Sequence, residues 1–211
     1  MKLHLKNESR GFSLIEVAIA IVIIGLIASF TLKGRELIRT AKLRSIIEQT
    51  NSIRVAAHSF METYGAMPGD LANAADIIGG SASNGKGDGK IVSIDDSKRF
   101  WGHLAASDVI HLEMNNGNPV SKIGGFYTIS TNAPGGHSGT WAILSGGTSD
   151  NKTFTGIISQ EDAYFIDKNS DTGEPSTGDV ITMKASGSSS IGQKYDLKDK
   201  KKDCIIMFRI F

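Results

Sequence analysis

One acid stands alone in the most apolar part of the chain. Across residues 12–32 the only ionisable side chain is Glu16, and residues 17–28 are unbroken apolar or glycine. A carboxylate carried to membrane depth costs about 3 kcal/mol on insertion scales, so it calls for a partner. Farther on, Asp167, Asn169 and Asp171 alternate at i, i+2 and i+4, with Gly173 and Asp179 beyond. Oxygen side chains spaced this way on a tight loop suit a hard cation such as Ca2+, because several oxygens must converge at roughly 2.3–2.6 Å. A second run, Asn84-Gly85-Lys86-Gly87-Asp88-Gly89-Lys90-Ile91, has glycine at its sixth place, an apolar eighth residue and Asp95 at its twelfth. Lys86 there stands where an oxygen ligand belongs. For both runs the alternative is a solvated turn built from turn-forming residues.

Catalytic signatures are sparse. His103, His111 and His137 are scattered, and no G-x-S-x-G, H-E-x-x-H or phosphate-binding glycine loop occurs, so the expectation is a protein that is not an enzyme and holds no zinc. Residues 194–202 form a basic run that reads as a solvated loop, with contact to DNA as the alternative. Cys204, the single cysteine, rules out an internal disulfide and opens an apolar run, which predicts a buried thiol rather than an intermolecular bridge. Trp101 and Trp141 read as core aromatics.

The elements that must carry these groups follow from length and periodicity. The 211 residues are 40% apolar and 21% charged, with a formal charge of +1, which suits one domain with an appendage and gives no global basic surface. Residues 12–32 are long enough to span a bilayer as a helix. An ordinary signal peptide is one reading, but Ile27-Ala28-Ser29 matches the A-x-A cleavage pattern poorly. A plain membrane anchor is another, and both leave Glu16 unexplained. From there to Tyr64 no proline occurs, and Leu43, Ile46, Ile47, Ile53, Ala57, Phe60 and Tyr64 recur at helical spacing. The prediction is one helix over residues 12–64, roughly 80 Å long, membrane-spanning to residue 32 and amphipathic over 33–64.

Gly11-Phe12-Ser13-Leu14-Ile15-Glu16, behind a short charged leader and ahead of the apolar helix, resembles the start of a type IV prepilin or type II secretion pseudopilin. The resemblance implies a leader of residues 1–11, cleavage by a prepilin peptidase between Gly11 and Phe12, and N-methylation of Phe12. Its implied partners are that peptidase, an inner-membrane assembly platform, the membrane and sister pilin or pseudopilin subunits. The head would face the periplasm. Glycine before the cut lets a protease approach the backbone closely. The freed amine of Phe12 is mostly cationic at neutral pH, and Glu16, one helical turn on, can neutralise its own terminus or a neighbour's. Loss of Lys2, Lys6, Arg10 and Glu8 takes the formal charge from +1 to −1. Five basic residues, Lys33, Arg35, Arg39, Lys42 and Arg44, follow the apolar run against three in the leader, so the positive-inside rule by itself favours the opposite orientation.

Over residues 65–211, Met67-Pro68-Gly69-Asp70 ends the helix. Residues 71–78 predict one or two helical turns, and Asp96 or Ser97 caps a helix reaching Val109. Ser159-Gln160-Glu161-Asp162 resembles a capping box opening a short helix through Ile166. Strand runs fall at residues 125–130, 140–144, 180–184 and 204–210. The fold class is α+β, a long N-terminal helix packed on a small antiparallel sheet. Tyr64-Gly65-Ala66-Met67-Pro68-Gly69-Asp70, Phe100-Trp101-Gly102-His103-Leu104 and the segment from Asp167 to Asp179 also resemble, more loosely, a minor pilin-like group. The competing function is an exported or membrane-anchored calcium-binding or enzymatic domain behind an ordinary signal or anchor.

Overall fold

A computed structural model describes residues 11–79, 82–185 and 191–211. All but the last residue of the expected leader lies outside them. The first element, α1, is a 51-residue helix, Leu14–Tyr64. It ends at Gly65, whose positive φ and N–H bond to the Met61 carbonyl form a left-handed stop. Contacts divide the chain into two units at Ala41, so the boundary falls inside α1.

In the first unit, every side chain over residues 11–31 is exposed. Among the described residues, α1 is the one helix long and apolar enough to cross a membrane. A helix apolar all round has no core of its own and belongs in lipid or among other helices.

The second unit, Lys42–Phe211, holds the rest of α1 and all the sheet. Its helices are α2 (Ala74–Ile77), α3 (Ile94–Ala106) and α4 (Gln160–Ser170), and its strands are β1 (Met114–Asn115), β2 (Asn118–Pro119), β3 (Phe126–Ser130), β4 (Trp141–Ser145), β5 (Gly147–Thr148), β6 (Phe154–Thr155), β7 (Val180–Lys184) and β8 (Cys204–Arg209). Four strands form one antiparallel sheet in the order β3-β4-β8-β7, while β1-β2 and β5-β6 are separate two-stranded ribbons. The predicted stripe on α1 buries Leu43, Ile46, Ile53, Ala57 and Phe60 against Tyr127, Ile129, Leu144, Ile206 and Phe208 of the sheet, with Ile47 and Tyr64 half-buried beside them. The opposite face is covered as well. There Trp141, Ile143, Ile181, Met183, Ile205 and Met207 pack with Ala133 and Phe154. Burial on both faces explains why Trp-Ala-Ile-Leu and Cys-Ile-Ile-Met-Phe run apolar without alternation. Both tryptophans are in the core, as is the Cys204 thiol, whose pKa burial pushes up to about 12.

Two helix boundaries differ from those read in the sequence. Helix α3 starts earlier: Ser93 is the cap, its hydroxyl accepting from the Asp96 N–H while the Asp96 carboxylate accepts from Ser93 N–H, a complete capping box. Asp96 is therefore the third helical residue, and the helix stops at Ala106 rather than Val109. Helix α4 begins at the predicted Ser159 cap but runs four residues past Ile166.

Candidate functional site

At the head of α1, Phe12 and Ser13 precede the first helical residue, Leu14. The Ser13 N–H donates to Glu16 Oε2 at 3.3 Å. Its carbonyl accepts from Val17 N–H at 3.1 Å. Ser13-Leu14-Ile15-Glu16 has the S-x-x-E spacing of a helix start, in which the glutamate satisfies a first-turn donor that has no partner within the helix. Glu16 is thus turned back toward the backbone just after Phe12. The spacing was there to be read, but the membrane cost of the acid drew attention from its capping role. A Cβ built at Gly11 meets nothing within 4 Å, so no contact with a described residue demands a glycine at that place.

The residues considered for a cation loop are placed differently. Asp167 and Asn169 lie on α4, whose helical path replaces the tight loop that would aim both inward. Asp167 is fully buried, accepting from the Tyr195 hydroxyl at 2.8 Å and Gly173 N–H at 2.9 Å. Burial pushes its carboxyl above the usual range, against the effect of those two bonds. Asn169 is exposed and donates to the Phe165 carbonyl. Asp171 Oδ2 accepts from the N–H groups of Asp179 and Val180 and so closes the loop between α4 and β7. Asp179 itself points to Arg209 at 3.4 Å. Among the described residues no three His, Cys, Asp or Glu side chains gather as a cation cage. These carboxylates bind their own backbone.

The second run is wound around Asp70. Its carboxylate accepts from Asp88 N–H at 3.0 Å and Gly89 N–H at 2.8 Å, while the Asp70 carbonyl accepts from Gly87 N–H at 2.9 Å. Lys86, the residue out of place for a metal loop, lies 3.1 Å from Asp96 Oδ1, and Arg99 pairs with the same carboxylate. Burial would raise the Asp96 pKa, but bonds from Ser93, Lys86 and Val92 outweigh it and hold the carboxyl at about 2. The segment supplies its own cation.

His103 joins two of the motif fragments. Its Nδ1 accepts from Gly69 N–H at 2.9 Å, so Nε2 carries the proton and donates to the Ser83 carbonyl at 2.7 Å. Gly69 has φ +82°, and a Cβ there would lie 2.7 Å from Phe100 N, so the Met67-Pro68-Gly69-Asp70 turn can press onto α3 only as glycine. The other histidines are apart: His111 is exposed beside Asp108, His137 lies by Trp141, and His58 on α1 contacts the Ile210 carbonyl at 3.0 Å. In the basic run, Asp196 and Asp199 interleave with the lysines, and Gln160 of α4 bonds both segments of that loop. Tyr195, which anchors Asp167, went unnoticed because an aromatic inside a lysine-rich stretch carries no sign of a distant buried partner.

Residues 6–32 match the family model described as the prokaryotic N-terminal methylation motif. No curated protein and no solved structure shows a significant match to the chain. The matched segment takes in Gly11, Phe12, Ser13 and Glu16 together with the first eighteen residues or so of α1 that follow them. With this motif at the head of a long apolar helix, and an antiparallel sheet packed on that helix's second half, the chain is a type IV prepilin- or pseudopilin-like protein and a substrate of prepilin peptidase.

Proposed function

We propose that the chain is a structural subunit of a type IV pilus or type II secretion pseudopilus, cut between Gly11 and Phe12 and N-methylated on Phe12. Residues 12–32 hold it in the inner membrane, with the head of residues 65–211 in the periplasm, until an assembly platform draws it into a filament. The observation that carries this reading is Glu16. It is the only ionisable side chain of residues 12–32, and it sits in the first turn of α1 with its carboxylate turned toward the chain just after the scissile position. Once proteolysis frees a cationic amine on Phe12, the two charges are within reach on one subunit or between neighbours. Pairing offsets the desolvation of both in hydrocarbon, and between subunits it makes axial register a condition for leaving the bilayer. Gly11, which no internal contact requires, is then explained by the close approach of the peptidase.

The test is Glu16→Ala expressed in the native host. The variant is expected to be processed normally but depleted about a hundredfold from the filament fraction, since breaking a buried ion pair is strongly unfavourable. Incorporation at the level of the unaltered chain would refute the charge-pairing role.

A further inference from the structure

A pocket of about 130 Å³ opens where the β1-β2 ribbon, β3, β5 and the start of α3 meet. Two buried polar atoms on different elements line it without a hydrogen-bond partner. Thr128 on β3 is 2% exposed and its Oγ1 is unpaired, and Asn118 Oδ1 on β2 is buried and unpaired too. Buried polar groups in folded proteins are almost always satisfied, so an unpaired donor-acceptor and an unpaired acceptor at one opening point to a missing partner. Asn116 adds a side-chain amide at the rim, while Phe126 and Ile94 supply an apolar wall.

We propose that this pocket binds a neutral, hydroxyl-rich ring, that is, a single sugar residue. No charged side chain lines the pocket, so an ionic ligand would lose hydration without gaining a countercharge. A hydroxyl group donates to the Asn118 carbonyl oxygen and both donates to and accepts from Thr128, which an apolar ligand cannot do. The C–H face of a sugar ring suits Phe126 and Ile94, giving the mixture of apolar walls and few polar groups typical of small-molecule sites. Size limits the ligand to one ring, because a water occupies roughly 30 Å³ and a cavity of about 150 Å³ holds one benzene. The walls are set before binding. Asn116 and Gly117 both take positive φ, +51° and +82°, forming the two-residue turn that fixes β1 against β2. Thr128 is held in the main sheet opposite Ile143. Little ordering entropy is then lost on binding.

The experiment is saturation-transfer NMR on the full chain in a detergent without a sugar headgroup, titrated with methyl glycosides of glucose, galactose and mannose and with N-acetylglucosamine. At least one is expected to receive transfer, with a Kd of about 1–10 mM as befits a ligand of a dozen or so heavy atoms. Thr128→Val, which keeps the side-chain shape, and Asn118→Ala should each weaken that binding about tenfold, as expected when a hydrogen bond to a ligand hydroxyl is lost. If Thr128→Val does not fold, Asn118→Ala at the ribbon decides. Absence of transfer to every neutral sugar at several times that concentration would overturn the proposal. So would binding that both variants leave unchanged, or equal binding of glucuronate and glucosamine.

Discussion

His103 has no exposed surface and both ring nitrogens engaged, and its ring stacks on Phe60 at 5.9 Å. Burial holds its pKa below the ordinary value, outweighing the Ser83 carbonyl, with the nearby Arg99 charge acting in the same direction as burial. Protonation would also turn the acceptor of the Gly69 N–H into a donor. The unfolded chain therefore takes up a proton near pH 6.5 that the folded chain resists, and stability falls as pH drops below that value. The slope contributed by this residue approaches about 1.4 kcal/mol per pH unit. Denaturant titrations at pH 7.0 and 5.5 measure it; in His103→Gln, which has no titrating ring, that part of the slope should vanish. A slope identical in the two proteins would contradict the assignment. At this scale the sequence was legible where a residue's partner is close along the chain. Glu16 stood out against its apolar neighbours, and the Ser159 cap was evident four residues into its helix. Asp70, His103 and Asp167 were not legible as the hubs they are, because their partners lie roughly twenty to thirty residues away.

Among the elements, the segment from the end of α4 to β7 shows how a carboxylate can substitute for a metal in closing a loop. Asp171 accepts two backbone N–H groups, and Gly178, with φ +84°, leaves the space its carboxylate occupies. A methyl group at Gly178 meets that carboxylate directly and also strains the left-handed backbone. Gly178→Ala is therefore expected to cost about 2–4 kcal/mol, from the conformational penalty and weakened charge-assisted bonds. Thermal unfolding measures this; a melting temperature unchanged within error would show that the loop closes by other contacts. The four main strands and α1 were readable because long apolar runs and an uninterrupted 3.6-residue stripe have few competing interpretations. The ribbons were not. Strands of two residues carry no alternation, so Asn116-Gly117 could mark a turn without revealing what it joined. The last turn of α4 was hidden for a different reason: Asp, Asn and Asp at alternate positions favour turns, and only the distant Tyr195 and Gly173 bonds satisfy Asp167 within a helix.

For the whole molecule, the chain divides into a segment that has no core and a unit with apolar packing on both faces of its sheet. The exposed apolar side chains of residues 12–31 need lipid or neighbouring helices to leave water, and the matched methylation motif stands at the start of that stretch. A subunit that passes from bilayer to filament meets both needs, provided its leader is removed and the new terminus finds Glu16. The most direct measurement is intact mass and N-terminal sequencing of the polypeptide purified from native-host filaments. The account predicts a chain beginning at N-methylated Phe12. A chain that still begins with Met1 in assembled filaments would contradict it.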